Sequence, residues 1–331
     1  MALLLTEADV RGLLTMPMAI ELVEDSFRRL AHGTAMAHPR RRLHIPGQSY
    51  LHYMAAADAT GGVMGMKIYT SSREGLRFVV PLFSTRSGDL LALIEADYLG
   101  QIRTGAATGV ATKWMARPDA NSAGIIGTGS QAKTQLEAIA AARPLASVRA
   151  FGRDPERREK FAQEMSERLK VPVKPAATPE DAVRGAAIVV TATTSTAPVL
   201  EGRWIEAGAH INAIGANFPQ KRELDHDAVA RCDMITVDSR EQAKMEAGDL
   251  IHAFGDDAMK WQRVAELSEI VAGKLIARTA KNQITLFKSS GIASEDVAVA
   301  GRLYEMAKER KIGREVPLWE KEVRSGGGRA V

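Results

Sequence analysis

The stretch of the 331-residue sequence with the clearest chemical signature is Ala123-Gly124-Ile125-Ile126-Gly127-Thr128-Gly129-Ser130-Gln131-Ala132. A short apolar strand runs into Gly-x-Gly-x-x-Ala, and a helix starts at once. Gly127 makes the tight turn, Gly129 lets a diphosphate approach bare backbone, and Ala132 is small enough for the helix to lie close to the strand. The free amides and positive dipole end of that helix then face the diphosphate. Strand, loop, helix and second strand follow in the order and span of one dinucleotide-binding unit.

The end of the second strand decides the cofactor. It reads Arg149-Ala150-Phe151-Gly152-Arg153-Asp154. Gly152 offers no acid to the adenosine ribose, and Arg153 would accommodate a 2′-phosphate, which favours NADP(H). An inward turn of Asp154 would restore NAD(H). Lys67 is the other conspicuous group. It lies among Val63, Met64, Met66 and Ile68, where an unpaired ammonium is costly. Cys232, the only cysteine, leads into an apolar strand and reads as a buried structural thiol. His32, His38, His44, His210, His226 and His252 show no metal-ligand spacing, so no metal is expected.

The elements that must position these groups fall into two textures. Thr6 with Asp9 resembles a capping box. Pro17 then opens a helix whose stripe is Ile20, Val23, Phe27 and Leu30. Residues 42–70 suggest strands broken at Gly61-Gly62, and Phe78–Phe83 with Leu90–Ile94 read as a hairpin across Ser87-Gly88-Asp89. A helix over about 96–116 carries Leu99, Ile102, Ala106, Val110 and Trp114 on one face, and its small interior residues allow close packing. Beyond Arg117-Pro118-Asp119 the chain alternates strand and helix, which implies a parallel sheet covered on both faces.

The expected fold class is therefore α/β, a Rossmann-type doubly wound parallel sheet over 118–291 plus an α+β substrate domain from 1–117 and 292–331. The tail Ser325–Val331 is expected to trail in solvent. A net charge of +4 without a basic stripe, and only 5% aromatic residues, argue against nucleic acid. The acidic turn at Glu7 argues against a leader peptide, and no apolar run is long enough to span a bilayer, so a cytoplasmic protein is expected.

The order of substrate domain first and dinucleotide domain second resembles the ornithine cyclodeaminase/μ-crystallin family. Five segments carry the likeness across residues 5–318: Met64-Gly65-Met66-Lys67, Gln101-Ile102-Arg103-Thr104-Gly105-Ala106, the 127–131 loop, Ile211-Asn212-Ala213-Ile214-Gly215-Ala216-Asn217, and Ile284-Thr285-Leu286-Phe287-Lys288-Ser289-Ser290-Gly291. The resemblance implies a carboxylate pocket of Arg42 (or Arg41, one residue earlier), Lys67 and Arg103, with Arg103 also touching the cofactor. It further implies Ser130, Gln131, Thr193, Ile214, Lys221 and Ser289 around the cofactor, and a homodimer.

Where the deaminating relatives place aspartate, this chain has Asn217, which cannot serve as a general base. The function expected is NAD(P)H-dependent reduction of a small 2-imino acid, either a cyclic ketimine such as Δ1-pyrroline-2-carboxylate or an open-chain one such as iminosuccinate. Lys67 is the candidate proton donor and His52 a candidate contact to the distal part of the substrate. A cyclodeaminase or alanine-type dehydrogenase, and a non-catalytic ligand-binding protein, are the alternatives.

Overall fold

The computed structural model describes residues 1–318; the tail expectation for Ser325–Val331 lies outside them. The first sheet is mixed and built from β1 (Ala2–Leu5), β2 (Ala35–Ala37), β3 (Arg41–Ile45), β4 (Ser49–Asp58), β5 (Val63–Ser72), β6 (Gly75–Ser84) and β7 (Leu90–Glu95), with β3 paired to β4. The strand Arg314–Val316 returns from the far end of the chain to pair antiparallel with β1.

Helices α1 (Glu7–Leu13) and α2 (Met16–Ala31) follow β1. The Thr6–Asp9 capping box is present, and a proline sits in the first turn of α2. Val23 and Phe27 are fully buried, with Ile20 and Leu30 packed beside them.

Helix α3 (Asp97–Met115) joins the two halves and is buried on nearly every side. A Cβ on Gly105 would lie 2.6 Å from the carbonyl of Thr134, so glycine is what lets α3 press against α4 (Ser130–Ala142). Trp114, expected on the buried face, is partly exposed instead, and its indole donates to Glu24 at 3.2 Å. Met115 takes the buried place. The Trp114 ring turns outward to where its N–H has a carboxylate partner, which the apolar face would not give it.

The second sheet is wholly parallel, in the order β10-β9-β8-β11-β12-β15-β13-β14. Its strands are β8 (Ser122–Ile126), β9 (Ser147–Phe151), β10 (Val173–Pro175), β11 (Ile188–Thr191), β12 (His210–Ala213), β13 (Met234–Val237), β14 (Ala265–Glu266) and β15 (Thr285–Lys288). Helix α5 (Pro155–Leu169) follows β9 and buries Phe161 and Met165. The order reverses between β8 and β11, and such a switch point opens a crevice at the carboxyl ends of the strands. The last helix, Ala293–Arg310, leaves this sheet and packs on β4, β5 and β6 of the first.

Candidate active site

A cleft of about 430 Å³ lies between the two sheets. On one side are the loops after β8, β11, β12 and β15. On the other are α3 and the inner ends of β4–β6.

The loop after β8 is shaped for a diphosphate. Gly127 has φ +124°, and a Cβ there would run into the carbonyl of Ala192, so only glycine makes this turn. Gly129 is different: its φ is −85° and a Cβ would meet nothing within 4 Å. The protein therefore has no internal need for glycine at 129; the open space is what an approaching phosphate requires. Helix α4 begins there without a side-chain cap, so its first amides stay available. Ser130 and Gln131 line the cleft beside them, and Ala132 is buried against the sheet.

At the end of β9, a Cβ on Gly152 would stand 2.6 Å from the hydroxyl of Thr128, so any side chain at that position would require Thr128 to shift. Asp154 does not turn inward. Its carboxylate accepts the Arg157 amide at 3.1 Å and caps α5. Arg153 is exposed and Arg158 donates to the carbonyl of Gly152 at 3.2 Å, so the strand end is basic.

The far wall of the cofactor side hangs on carboxylates that the sequence reading missed. Glu223, fully buried, accepts from the Thr193 amide (2.6 Å), the Gly215 amide (2.7 Å) and the Thr191 hydroxyl (2.9 Å). It thereby ties the loops after β11 and β12 together, fixing Thr193 and Ile214 at the cleft wall. Asp238 accepts from the Ser289 hydroxyl at 3.0 Å and the Gly291 amide at 2.5 Å, which holds the loop after β15. Lys221 does not line the cleft; its ammonium stands 5.1 Å from the Phe218 ring, which does.

Opposite the phosphate loop is a cluster of buried charge. Lys67 on β5 donates to Asp296 at 2.9 Å, and Arg103 on α3 donates to the same oxygen at 3.0 Å and to Glu295 at 2.7 Å. Both acids sit in the first turn of the last helix and are fully buried. Burial lowers the Lys67 ammonium to about 8, with Arg103 pushing the same way and Asp296 opposing. Burial would lower the Arg103 guanidinium too, but Asp296 and Glu295 raise it above its ordinary value. Burial raises the Glu295 carboxyl to about 8.

The arginines around the cleft are placed differently from one another. Arg40, not Arg42, enters the cleft wall; it pairs with Glu246 and donates to the carbonyl of Ser290 at 2.9 Å. Arg42 sits at the rim, over the Phe218 ring at 4.4 Å, and donates to Glu246 at 2.6 Å and to the carbonyl of Asn217 at 2.9 Å. Arg41 is exposed. Strand alternation puts positions 40 and 42 on one side and 41 on the other, and the deeper of the like-facing pair is the first. That alternation was the available signal.

The remaining wall is aromatic. His52 stacks on Tyr69 at 4.2 Å, and Tyr69 stacks on Phe78 at 4.9 Å. Burial, reinforced by Arg42 and Arg40, lowers the His52 imidazole to about 4, so it is neutral at pH 7. Asn217 lines the cleft between this wall and the cofactor side. Cys232 lies elsewhere, donating to the carbonyl of Ala228 at 3.1 Å, and burial pushes its thiol up, away from reactivity. Among the described residues no group of three or more His, Cys, Asp or Glu side chains could hold a metal ion, and no helix is long and apolar enough to cross a membrane.

Comparison with known proteins places these features in a family. The model of the ornithine cyclodeaminase/mu-crystallin family matches residues 1–311. A Δ1-pyrroline-2-carboxylate reductase of Bacillus cereus is 38% identical over 261 residues, covering 76% of this chain and 80% of the relative. The structure of the Thermococcus litoralis Δ1-pyrroline-2-carboxylate reductase, in complex with NADH and L-proline, superposes with a TM-score of 0.91 at 35% identity, over 95% of this chain and all of that one. An archaeal alanine dehydrogenase dimer with bound NAD gives 0.90 at 33% identity, over 96% of this chain and 99% of the other.

Proposed function

The chain belongs to the ornithine cyclodeaminase/mu-crystallin family, and from that premise we propose that it reduces a small 2-imino acid to the amino acid with a nicotinamide dinucleotide. The observation that carries this reading is the placement of a buried, paired Lys67 and Arg103 directly across one cleft from the open N-terminus of α4. When bound, the nicotinamide supplies a hydride to the imine carbon. The chain does the rest. Ser130, Gln131 and the α4 amides would hold the diphosphate, while Thr193, Ile214 and Ser289 would border the nicotinamide. Arg103 and Arg40 present guanidinium groups to the substrate carboxylate. Lys67 Nζ gives its proton to the imine nitrogen, whose C=N electron pair forms the new N–H bond; the neutral lysine then regains a proton from solvent. Asn217 supports the substrate by hydrogen bonding alone.

The cleft also argues for one substrate class. Glu246 pairs with Arg40 and Arg42, Asp296 with Lys67 and Arg103, and the distal wall is aromatic with a neutral His52. Among the described residues that line the cleft, every Lys and Arg already has a carboxylate partner, so a second substrate carboxylate is poorly served there. We therefore favour a cyclic monocarboxylate such as Δ1-pyrroline-2-carboxylate over iminosuccinate. NADP(H) is the proposed preference, supported by the capping role of Asp154 and the exposed Arg153, although the related structures hold NADH and NAD.

The proposed division is a substrate domain (1–117 and 292–331) and a dinucleotide domain (118–291), a reading supported among the described residues by the separation of the strands into two sheets. A homodimer is proposed from the first sheet. Its face away from the helices carries Tyr53, Ala55, Met64, Met66, Ile68, Phe83 and Leu93, an apolar surface with Met64 and Leu93 over a third exposed. A cytoplasmic location is proposed from the single buried thiol.

The test is oxidation of NADPH and NADH against a panel of cyclic and open-chain imino acids. No turnover with any of them would leave a ligand-binding protein. Ammonia release from ornithine would point to cyclodeamination instead.

A further inference from the structure

We propose that Asp296 is a positioning residue that spaces Lys67 and Arg103 and keeps Lys67 charged for proton delivery. This rests on Lys67 being the proton donor, and it adds a residue from the opposite end of the chain to that role. A single oxygen, Oδ1 of Asp296, takes both Lys67 Nζ at 2.9 Å and Arg103 Nε at 3.0 Å. One carboxylate oxygen thus fixes the distance between the group that gives the proton and the group that grips the carboxylate. Rotating Lys67 away would leave its own buried ammonium uncompensated.

The lysine has little choice of path. It crosses α3 at Gly100, where a Cβ would lie 2.8 Å from Nζ. The other charges acting on Lys67 are Arg103 on α3 and Arg40 ahead of β3; Asp97 lines the same cleft, and Glu295 on the last helix is bonded to Arg103. The Phe78 ring on β6 stands 5.4 Å away, and neutral His52 lies on the neighbouring β4. Among the described residues, Asp296 is the one carboxylate bonded to Nζ.

The sign of the effect follows. Burial and Arg103 drive Lys67 toward its neutral form, and the charge and hydrogen bond of Asp296 hold the proton on. A donor lysine gives an activity profile that falls at high pH as the proton is lost. Removing the Asp296 charge moves that fall to lower pH.

The experiment is the pH dependence of kcat/KM for Δ1-pyrroline-2-carboxylate reduction in the wild type and in Asp296→Asn, Asp296→Glu, Gly100→Ala and Lys67→Met. NADPH binding monitored in each serves as the check of folding. In the wild type the basic limb is expected near pH 8. In Asp296→Asn it moves down by ~1 pH unit or more, and Asp296→Glu restores it. Gly100→Ala, which favours helix and displaces the ammonium, moves the limb the same way and keeps the test open should Asp296→Asn not fold. A limb at the wild-type position in folded Asp296→Asn, or in Gly100→Ala if the former does not fold, overturns the role of Asp296. A limb that persists unchanged in Lys67→Met overturns instead the reading of Lys67 as donor.

Discussion

Two glycines two residues apart should answer mutation in opposite ways. Gly127 has φ +124° and its Cβ position collides with the carbonyl of Ala192; Gly129 has φ −85° and open space around its Cβ. For Gly127→Ala the backbone strain is about 1–3 kcal/mol, and the clash with a fixed carbonyl adds about 1–3 kcal/mol. The expected loss is ~2–6 kcal/mol, and Tm should fall by roughly 5–15 °C at a few degrees per kcal/mol. For Gly129→Val the folded protein pays neither term, and Tm should stay within about 2 °C of wild type.

The cost at Gly129 appears only with cofactor. A branched side chain in the diphosphate path removes at least one charge-assisted hydrogen bond, ~1.5–3 kcal/mol, or about 10- to 150-fold in Kd. Differential scanning fluorimetry and NAD(P)H fluorescence titration of both variants read the two quantities separately. Wild-type cofactor affinity in Gly129→Val would refute the phosphate-loop assignment. A Gly127→Ala protein as stable as wild type would refute the geometric argument.

Other perturbations test the rest of the site. Lys67→Met should lower kcat for imine reduction by ~10²–10⁴, measured by NADPH oxidation at saturating substrate; an unchanged kcat would move the proton source elsewhere. Arg153→Ala should weaken NADPH by ~1.5–3 kcal/mol while sparing NADH, and equal effects in titrations of both cofactors would count against NADP(H) preference. Asn217→Asp is expected to raise oxidative activity on amino acids at the expense of reduction, assayed in both directions; no gain in oxidation would sever that residue from reaction type. Burial lowers the imidazole of His210 to about 3, so the unfolded chain binds the extra proton first and stability is lost as pH falls below about 6.5. Melting curves from pH 7 to 4 should show that decline, less steeply in His210→Gln; an identical slope would exclude His210 as its source.

The legible parts of this molecule were those governed by local chemistry. A Gly-x-Gly turn at the end of an apolar strand has few other readings, and the Thr6–Asp9 cap is decided within four residues. Lys67 stood out because its apolar strand demanded a partner. The partner itself was illegible. Asp296 is 229 residues away, and in sequence it looks like an ordinary acid in a helix first turn. Glu223 and Asp238 were hidden for the same reason, since each serves backbone amides that have no sequence signature. That Arg40 rather than Arg42 lies in the cleft wall was also not legible. The β-alternation was right, but which of two like-facing arginines lies deeper depends on Glu246 and the Ser290 carbonyl, both distant in the chain.

The return of the last helix to the first sheet has a consequence for how the protein is made. Lys67 and Arg103 leave the ribosome long before Glu295 and Asp296, and β1 waits for Arg314–Val316 to complete its edge. Until then the first sheet and α3 cannot bury Lys67 and Arg103 without leaving them uncompensated, so they cannot close as a separate unit during synthesis. The parallel sheet, whose strands all lie between residues 122 and 288, faces no such wait. Vectorial folding should therefore begin in the middle of the chain, with its amino-terminal third held open until the carboxyl-terminal helix arrives.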